Sequence, residues 1–172
     1  ILWINMTTAV LLGLTLAFEP IERGIMNRPP RRLETPVLDG ALIRRIVLVS
    51  VLLLGGAFGL YLRELAQGQS LAEARTVAVN VFVLVEMLYL FNCRSLTRGF
   101  WSLGVFSNPW VWGGIGTMAV LQLLLTYWAP LNAAFSTAPI GLAEWVEIFT
   151  FALGSSLIIA LEKHWTNSRR AR

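Results

Sequence analysis

One cysteine, Cys93, and one histidine, His164, are the only soft metal ligands of their kinds in this 172-residue sequence. A lone cysteine excludes an internal disulfide framework and, from this chain alone, a thiolate metal cluster. A Gly-rich phosphate loop, a His–Cys ligand spacing and a nucleophile elbow are also missing, so no motif marks a catalytic or cofactor-binding residue. Charge is scarce as well. Asp, Glu, Lys and Arg make up 14 % of the residues, where a soluble domain carries about a quarter. Hydrophobic residues make up 56 %, and the mean hydropathy is +0.64. The charges are also clustered: none falls in 1–18, 46–62 or 99–143, and Glu86 stands alone between Thr76 and Asn92. These features indicate a membrane protein. The opening stretch has no basic flank and no small-residue cleavage site, which excludes a signal peptide. The net charge of +4 reads as membrane topology and not as a nucleic-acid surface, because of where the basic residues lie.

Crossing a hydrocarbon core of about 30 Å takes roughly 20 apolar residues. Five stretches qualify, at about 1–18, 42–62, 74–91, 110–128 and 144–161. Each must be helical to satisfy its backbone in lipid, since continuous runs such as "IVLVSVLLLGG" lack the alternation of barrel strands. The sequence therefore predicts an all-α membrane bundle of about five helices, with Pro130 closing the fourth span. Trp110, Trp112, Tyr127, Trp128, Trp145 and Trp165 fall at interface depths. Twelve of the fourteen basic residues lie in the loop after the first span, the loop after the third, or the tail. The positive-inside rule puts the loop 19–41 and the tail 162–172 in the cytoplasm.

Glu86 is the strongest functional signal. It lies mid-span in "NVFVLVEMLYLF", where a charge costs about 2.5–3.5 kcal/mol on insertion scales and so faces a partner, an ion or water. The alternative is a protonated acid hydrogen-bonded to a neighbouring helix. Asn80 and Tyr89 could extend its polar face. Asn5 and Thr8, three apart, share one face of the first span, and Thr15 continues the stripe. Amide and hydroxyl oxygens suit hard cations, although interhelical hydrogen bonding is the ordinary use of such residues. Gly55 and Gly59 form a GxxxG suited to close helix packing. Glu144 and Glu147 read as interfacial, Glu162, Lys163 and His164 as the exit of the last span, and Arg28–Arg32 as a surface-anchored loop.

The string "LWINMTT…LAFEPIERGIMNRPPR" resembles the sixth transmembrane helix and following cytoplasmic loop of type II cation-transporting P-type ATPases, the family of the calcium and sodium/potassium pumps. Ile25, Met26, Arg28, Pro29, Pro30 and Arg31 match its I-M-x-R-P-P-R motif. "ARTVAVNVFVLVEMLYLFNCRS" is similar to the eighth helix of those pumps, and "YWAPLNAAFSTAPIGLAEW" to the loop joining their last two helices. The resemblance covers essentially the whole chain. It implies that these are helices six to ten of ten, forming one C-terminal transmembrane domain over 1–172. It also implies that the chain opens at or within the sixth helix, without the initiator Met and outer flank of a free-standing protein.

The resemblance carries Asn5 and Thr8 over as amide and hydroxyl ligands of the transported cation, and Glu86 as the eighth-helix carboxylate ligand. Ala9 stands where the pumps have a ligand aspartate, which leaves the ion open among calcium, sodium, potassium, magnesium and the proton. ATP, Mg, the phosphorylated aspartate, the catalytic domains and the first five helices are implied upstream. The chain itself would carry no catalytic or cofactor-binding residue and would be inactive alone. Its partners would be the cation, the bilayer and the rest of the same protein, in the plasma (inner) membrane, with no nucleic acid. The alternative is a free-standing channel-like or accessory subunit without ATPase activity.

Overall fold

A computed structural model describes residues 2–21, 38–95, 104 and 106–170, with the backbone alone at 167, 169 and 170. The I-M-x-R-P-P-R motif, the rest of 22–37 and Arg98 lie outside the described residues. Among the described residues there is no strand, and the expected all-α bundle is what forms. Its helices are α1 (Leu2–Leu16), α2 (Gly40–Ala66), α3 (Leu71–Cys93), α4 (Pro109–Tyr127), the short α5 (Ala129–Phe135) and α6 (Leu142–Arg170). By length and apolarity α2, α3, α4 and Leu142–Thr166 of α6 can each cross a membrane, whereas α1 is shorter.

Local signals set the boundaries. Asp39 caps α2 by accepting from the Leu42 N–H at 2.8 Å. At its far end Gly68, at φ +81°, closes a Schellman turn in which Gly68 N–H donates to Leu65 O and Gln69 N–H to Glu64 O. Ser70 and Glu73 then form a reciprocal capping box that starts α3. Only four residues separate the two helices, so they pack antiparallel.

The region around Pro130 departs from the sequence reading. This proline sits in the first turn of a new helix, α5, instead of only closing α4. That position suits it, because the N–H it lacks would have had no intrahelical partner there. Asn132 anchors the turn by donating to Leu125 O, Thr126 O and Thr137 Oγ1.

α3 is the centre of the bundle. Val77, Val81 and Val85, at four-residue spacing, pack on Ala57 of α2 and on Ile148 and Ala152 of α6. Val83, Met87 and Leu90, on the other face, pack on Leu12 of α1 and on Val111 and Met118 of α4. A helix buried on both sides is hydrophobic all round, as this one is. Val47, Val51, Leu54, Phe58 and Leu62 of α2 and Val146, Leu153, Leu157 and Leu161 of α6 are exposed, as suits faces turned to lipid. Gly56 makes the close α2–α6 contact, since a Cβ there would lie 2.0 Å from the Phe151 ring. A Cβ at Gly55 or Gly59 would meet no neighbour within 4 Å among the described residues, so there close packing uses the glycine beside the GxxxG pair and not the pair itself.

Ion pairs staple both ends. At the basic end Glu162 takes Arg44 at 2.9 Å and Arg45 at 3.1 Å, joining α6 to α2. Buried Lys163 donates to Asn92 O at 2.9 Å and Ser95 O at 2.6 Å, which satisfies carbonyls at the exit of α3. These contacts carry α6 well beyond the 144–161 expected from hydrophobicity. At the opposite end Arg63 pairs with Glu147.

Candidate functional site

α1 is not a uniform α-helix. Its middle, Asn5–Leu12, is π-helical, with α-helical turns at Leu2–Ile4 and Gly13–Leu16. The threonines suggest a local cause. The Thr7 hydroxyl donates to Trp3 O at 2.7 Å and the Thr8 hydroxyl to Ile4 O at 2.5 Å. These carbonyls lie where the ladder changes from α to π, and such back-bonding bends helices. A π segment leaves groups free that a regular helix would occupy, and it is found frequently at functional sites.

The distorted segment faces Glu86 of α3 across a cleft of about 260 Å³ lined by Asn5, Thr8, Ala9, Glu86, Tyr89 and Cys93, with Leu12, Gly13, Leu16 and Leu90 as its apolar wall. Asn5, Thr8 and Glu86, 78 or more positions apart across the two helices by number, thus border one space. Thr8 is 3 % exposed and lines the cleft together with Glu86. With its proton on Ile4 O, Thr8 Oγ presents lone pairs to the cleft. They can accept from a protonated Glu86 or join an ionised Glu86 around a cation. One carboxyl oxygen of Glu86, Oε2, is buried and has no hydrogen-bond partner among the described residues. Asn5 is exposed at the open side of the cleft, with amide chemistry suited to oxygen ligation.

Ala9 also lines this cleft, so the side chain that differs from the pump pattern sits among the three candidate residues. Its methyl adds no charge, and Glu86 is the one carboxylate on the cleft wall among the described residues. Among the described residues no group of three or more His, Cys, Asp or Glu could hold a metal ion. The cleft offers neutral oxygens and a single carboxylate among the described residues.

Other candidates separate from the cleft. Thr15 does not continue the stripe. It is buried against α4, donating to Leu12 O at 2.7 Å and lying where a Cβ on Gly114 would stand 2.5 Å from it. The π stretch changes the phase of α1, so residues on either side of it no longer share a face. Asn80 turns the other way as well. Its amide donates to Thr76 O at 2.9 Å and Thr126 Oγ1 at 3.2 Å, and it borders a separate apolar cavity with Gln122 and Trp145. Tyr89 does line the cleft. Glu147 is engaged by Arg63, and His164 is exposed.

Two features escape sequence reading. The π segment has no periodicity signature, although paired threonines beside an intramembrane Asn were a possible pointer. Glu64, which no motif in the sequence singles out, is only 1 % exposed, and its Oε2 has no hydrogen-bond partner among the described residues.

Comparison with known proteins agrees with this architecture. Residues 1–165 match the family described as "Cation transporting ATPase, C-terminus". The chain is 52 % identical over 162 residues to the "Probable cation-transporting ATPase F" of Mycobacterium tuberculosis (strain ATCC 25618 / H37Rv), covering 94 % of this chain and 18 % of that protein. It is 28 % identical over 167 residues to the "Calcium-transporting ATPase type 2C member 2" of Mus musculus, covering 96 % and 18 %. It is 27 % identical over 170 residues to the "Calcium-transporting ATPase 1" of Schizosaccharomyces pombe (strain 972 / ATCC 24843), covering 99 % and 19 %. The chain thus spans about a fifth of the length of these relatives. With residues 1–165 matched, this chain belongs to the family of cation-transporting ATPase C-terminal domains.

Proposed function

We propose that the chain is the membrane portion of an ATP-driven cation pump and that the α1–α3 cleft binds the transported ion through Asn5, Thr8 and Glu86. The observation that carries this reading is Glu86, a mid-helix carboxylate with a buried oxygen unpartnered among the described residues, bordering one cleft with a hydroxyl and an amide on a π-distorted helix. An unpaired carboxylate at that depth is costly, and a cation offsets the cost directly. ATP hydrolysis, Mg and the phosphorylated carboxylate belong to upstream parts of the full-length protein, because phosphoryl transfer needs a nucleotide, a metal and an acceptor and no motif for them occurs here.

The ion is a cation of low coordination demand: sodium, potassium or the proton, unless carboxylates upstream complete a calcium or magnesium site. One charge and few ligands fall short of the six to eight oxygens calcium takes. The relatives point both ways. The mouse protein is named for calcium and the mycobacterial one only for cations. The basic end of the bundle faces the cytoplasm, as twelve of the fourteen basic residues on that side favour, and the protein resides in the plasma (inner) membrane.

The test is phosphoenzyme formation by the full-length protein in native membranes, using radiolabelled ATP with calcium, sodium, potassium or magnesium chloride at several pH values. A labelled band whose intensity depends on one cation supports the pump and names its ion. Label indifferent to every cation and to pH would refute it.

A further inference from the structure

The two helices that face each other across the cleft are joined by a single ion pair, Arg94–Glu19, among the described residues. Glu19 lies just past α1, its N–H donating to Leu16 O. Arg94 ends α3, eight positions beyond Glu86. Arg94 Nε donates to both Glu19 oxygens at 3.0 Å, and Nη2 to Oε1 at 2.7 Å. The Arg94 side chain is fully buried and that of Glu19 16 % exposed. Arg94 also donates to Gly104 O at 3.2 Å and Ser107 Oγ at 2.5 Å. Asn108, buried completely, completes the node. Its Nδ2 donates to Glu19 Oε2 at 2.8 Å and to Thr15 O at 3.2 Å, while its Oδ1 caps α4 at the Trp110 N–H.

This node differs from the other staples. Arg44, Arg45 and Glu162 tie α2 to α6, and Arg44 hydrogen-bonds only to α6 among the described residues. At the other end of α1, Trp3 Nε1 donates to Gln122 Oε1 of α4 at 3.1 Å, which ties α1 to α4 and not to α3. Between α1 and α3 the contacts beside the candidate ligands are apolar, among Leu12, Leu16 and Leu90. Such surfaces slide at little cost, whereas a forked guanidinium–carboxylate pair fixes orientation.

We infer that Glu19 is a positioning residue for the cation site, holding α1 and α3 in the register that places Asn5 and Thr8 opposite Glu86. The Arg94 guanidinium and the Asn108 amide act through it, and none of the three touches the ion. The inference rests on the proposed cation-binding role of the cleft.

The test uses the full-length protein in membranes, with ATPase activity titrated against calcium, sodium, potassium and magnesium chloride. Glu19→Gln and Arg94→Gln should each raise the half-saturating concentration of the activating cation by about 3- to 30-fold, the range reached by mutations remote from a ligand. Maximal turnover should stay within about twofold, as expected when only binding is weakened. Asn108→Ser, which keeps a capping side chain but loses the amide donor, should shift it less and in the same direction. The reversed pair, Glu19→Arg with Arg94→Glu, should recover part of the loss and covers the case in which a single variant does not accumulate. Arg44→Gln, at the α2–α6 staple, should lower thermal stability and leave the half-saturating concentration unchanged. Unshifted cation titrations in Glu19→Gln and Asn108→Ser would overturn the inference and leave a plain structural strut. So would an equal shift in Arg44→Gln. If the unmodified protein shows no cation-stimulated activity, the cation-site reading itself falls, an outcome distinct from unshifted variants in an active pump.

Discussion

Replacing Glu86 by glutamine separates a cation ligand from a structural acid, because the two roles predict opposite results. The amide matches the carboxyl in shape and keeps one oxygen, but it carries no charge. For a monovalent ion about 3 Å from the carboxylate, Coulomb's law with an effective dielectric constant near 20 gives roughly 5 kcal/mol of gross attraction. Most of that is offset by desolvating ion and carboxylate together. A net loss of about 1.5–3 kcal/mol, the range for interactions with a charged partner, is the reasonable expectation. It corresponds to a roughly 10- to 150-fold weaker apparent affinity. The variant should meanwhile be no less stable without cation, since a buried oxygen unpartnered among the described residues has been exchanged for a neutral group. The assay is a cation titration of ATPase activity in the full-length protein, paired with thermal unfolding in cation-free buffer. An unchanged titration would refute the reasoning, because a protonated Glu86 that only donates to Thr8 can be replaced by an amide donor at little cost. Unchanged affinity combined with unchanged stability would identify a structural acid.

Ala9→Asp adds a second carboxylate to the cleft wall beside Asn5 and Thr8. It should move selectivity toward calcium over sodium or potassium by about tenfold or more, since charge count tunes divalent affinity; an unchanged selectivity series would mean that the ion does not sit at this part of α1. Thr8→Val should weaken apparent cation affinity by about 5- to 30-fold, the effect of losing one oxygen contact of roughly 1–2 kcal/mol, while Thr8→Ser should stay near the parent protein; titration of both variants decides whether the hydroxyl or the methyl matters. Gly56→Ala places a methyl 2.0 Å from the Phe151 ring and should destabilise the bundle by about 1–3 kcal/mol through overpacking. Thermal unfolding of the purified protein reads this directly, and a variant as stable as the parent would show that α2 and α6 do not approach as closely as described.

The sequence was most informative where lipid imposes a rule. Apolar run length and clustered charge were enough for helices and for a bundle, because a membrane permits few other ways to satisfy the backbone. Glu86 stood out as a candidate site residue for the same reason, as one charge in a long apolar stretch. Asn5 and Thr8 stood out by their spacing and by the resemblance of the surrounding motif. Helix ends were less legible: polar residues that find partners, such as Glu162 and Thr166 with Arg44, prolong a helix past its hydrophobic limit. Pro130 could equally stop one helix or start the next, and only the chain path through α5 distinguishes them.

What the sequence determined by itself was therefore composition-driven: the helical class, the approximate spans, the family resemblance and the short list of oxygen-bearing side chains. What the tertiary structure alone decided was phase and partnership. The π stretch puts Thr15 off the Asn5–Thr8 face, Asn80 turns to α4 while Glu86 turns to α1, Gly56 rather than its neighbours meets Phe151, and Glu19 finds Arg94 across 75 positions. Hydrophobicity and spacing act along one helix, so they can be read from a single strand of letters. Which face meets which neighbour depends on packing and ion pairs between distant segments, and it becomes definite only when the helices come together.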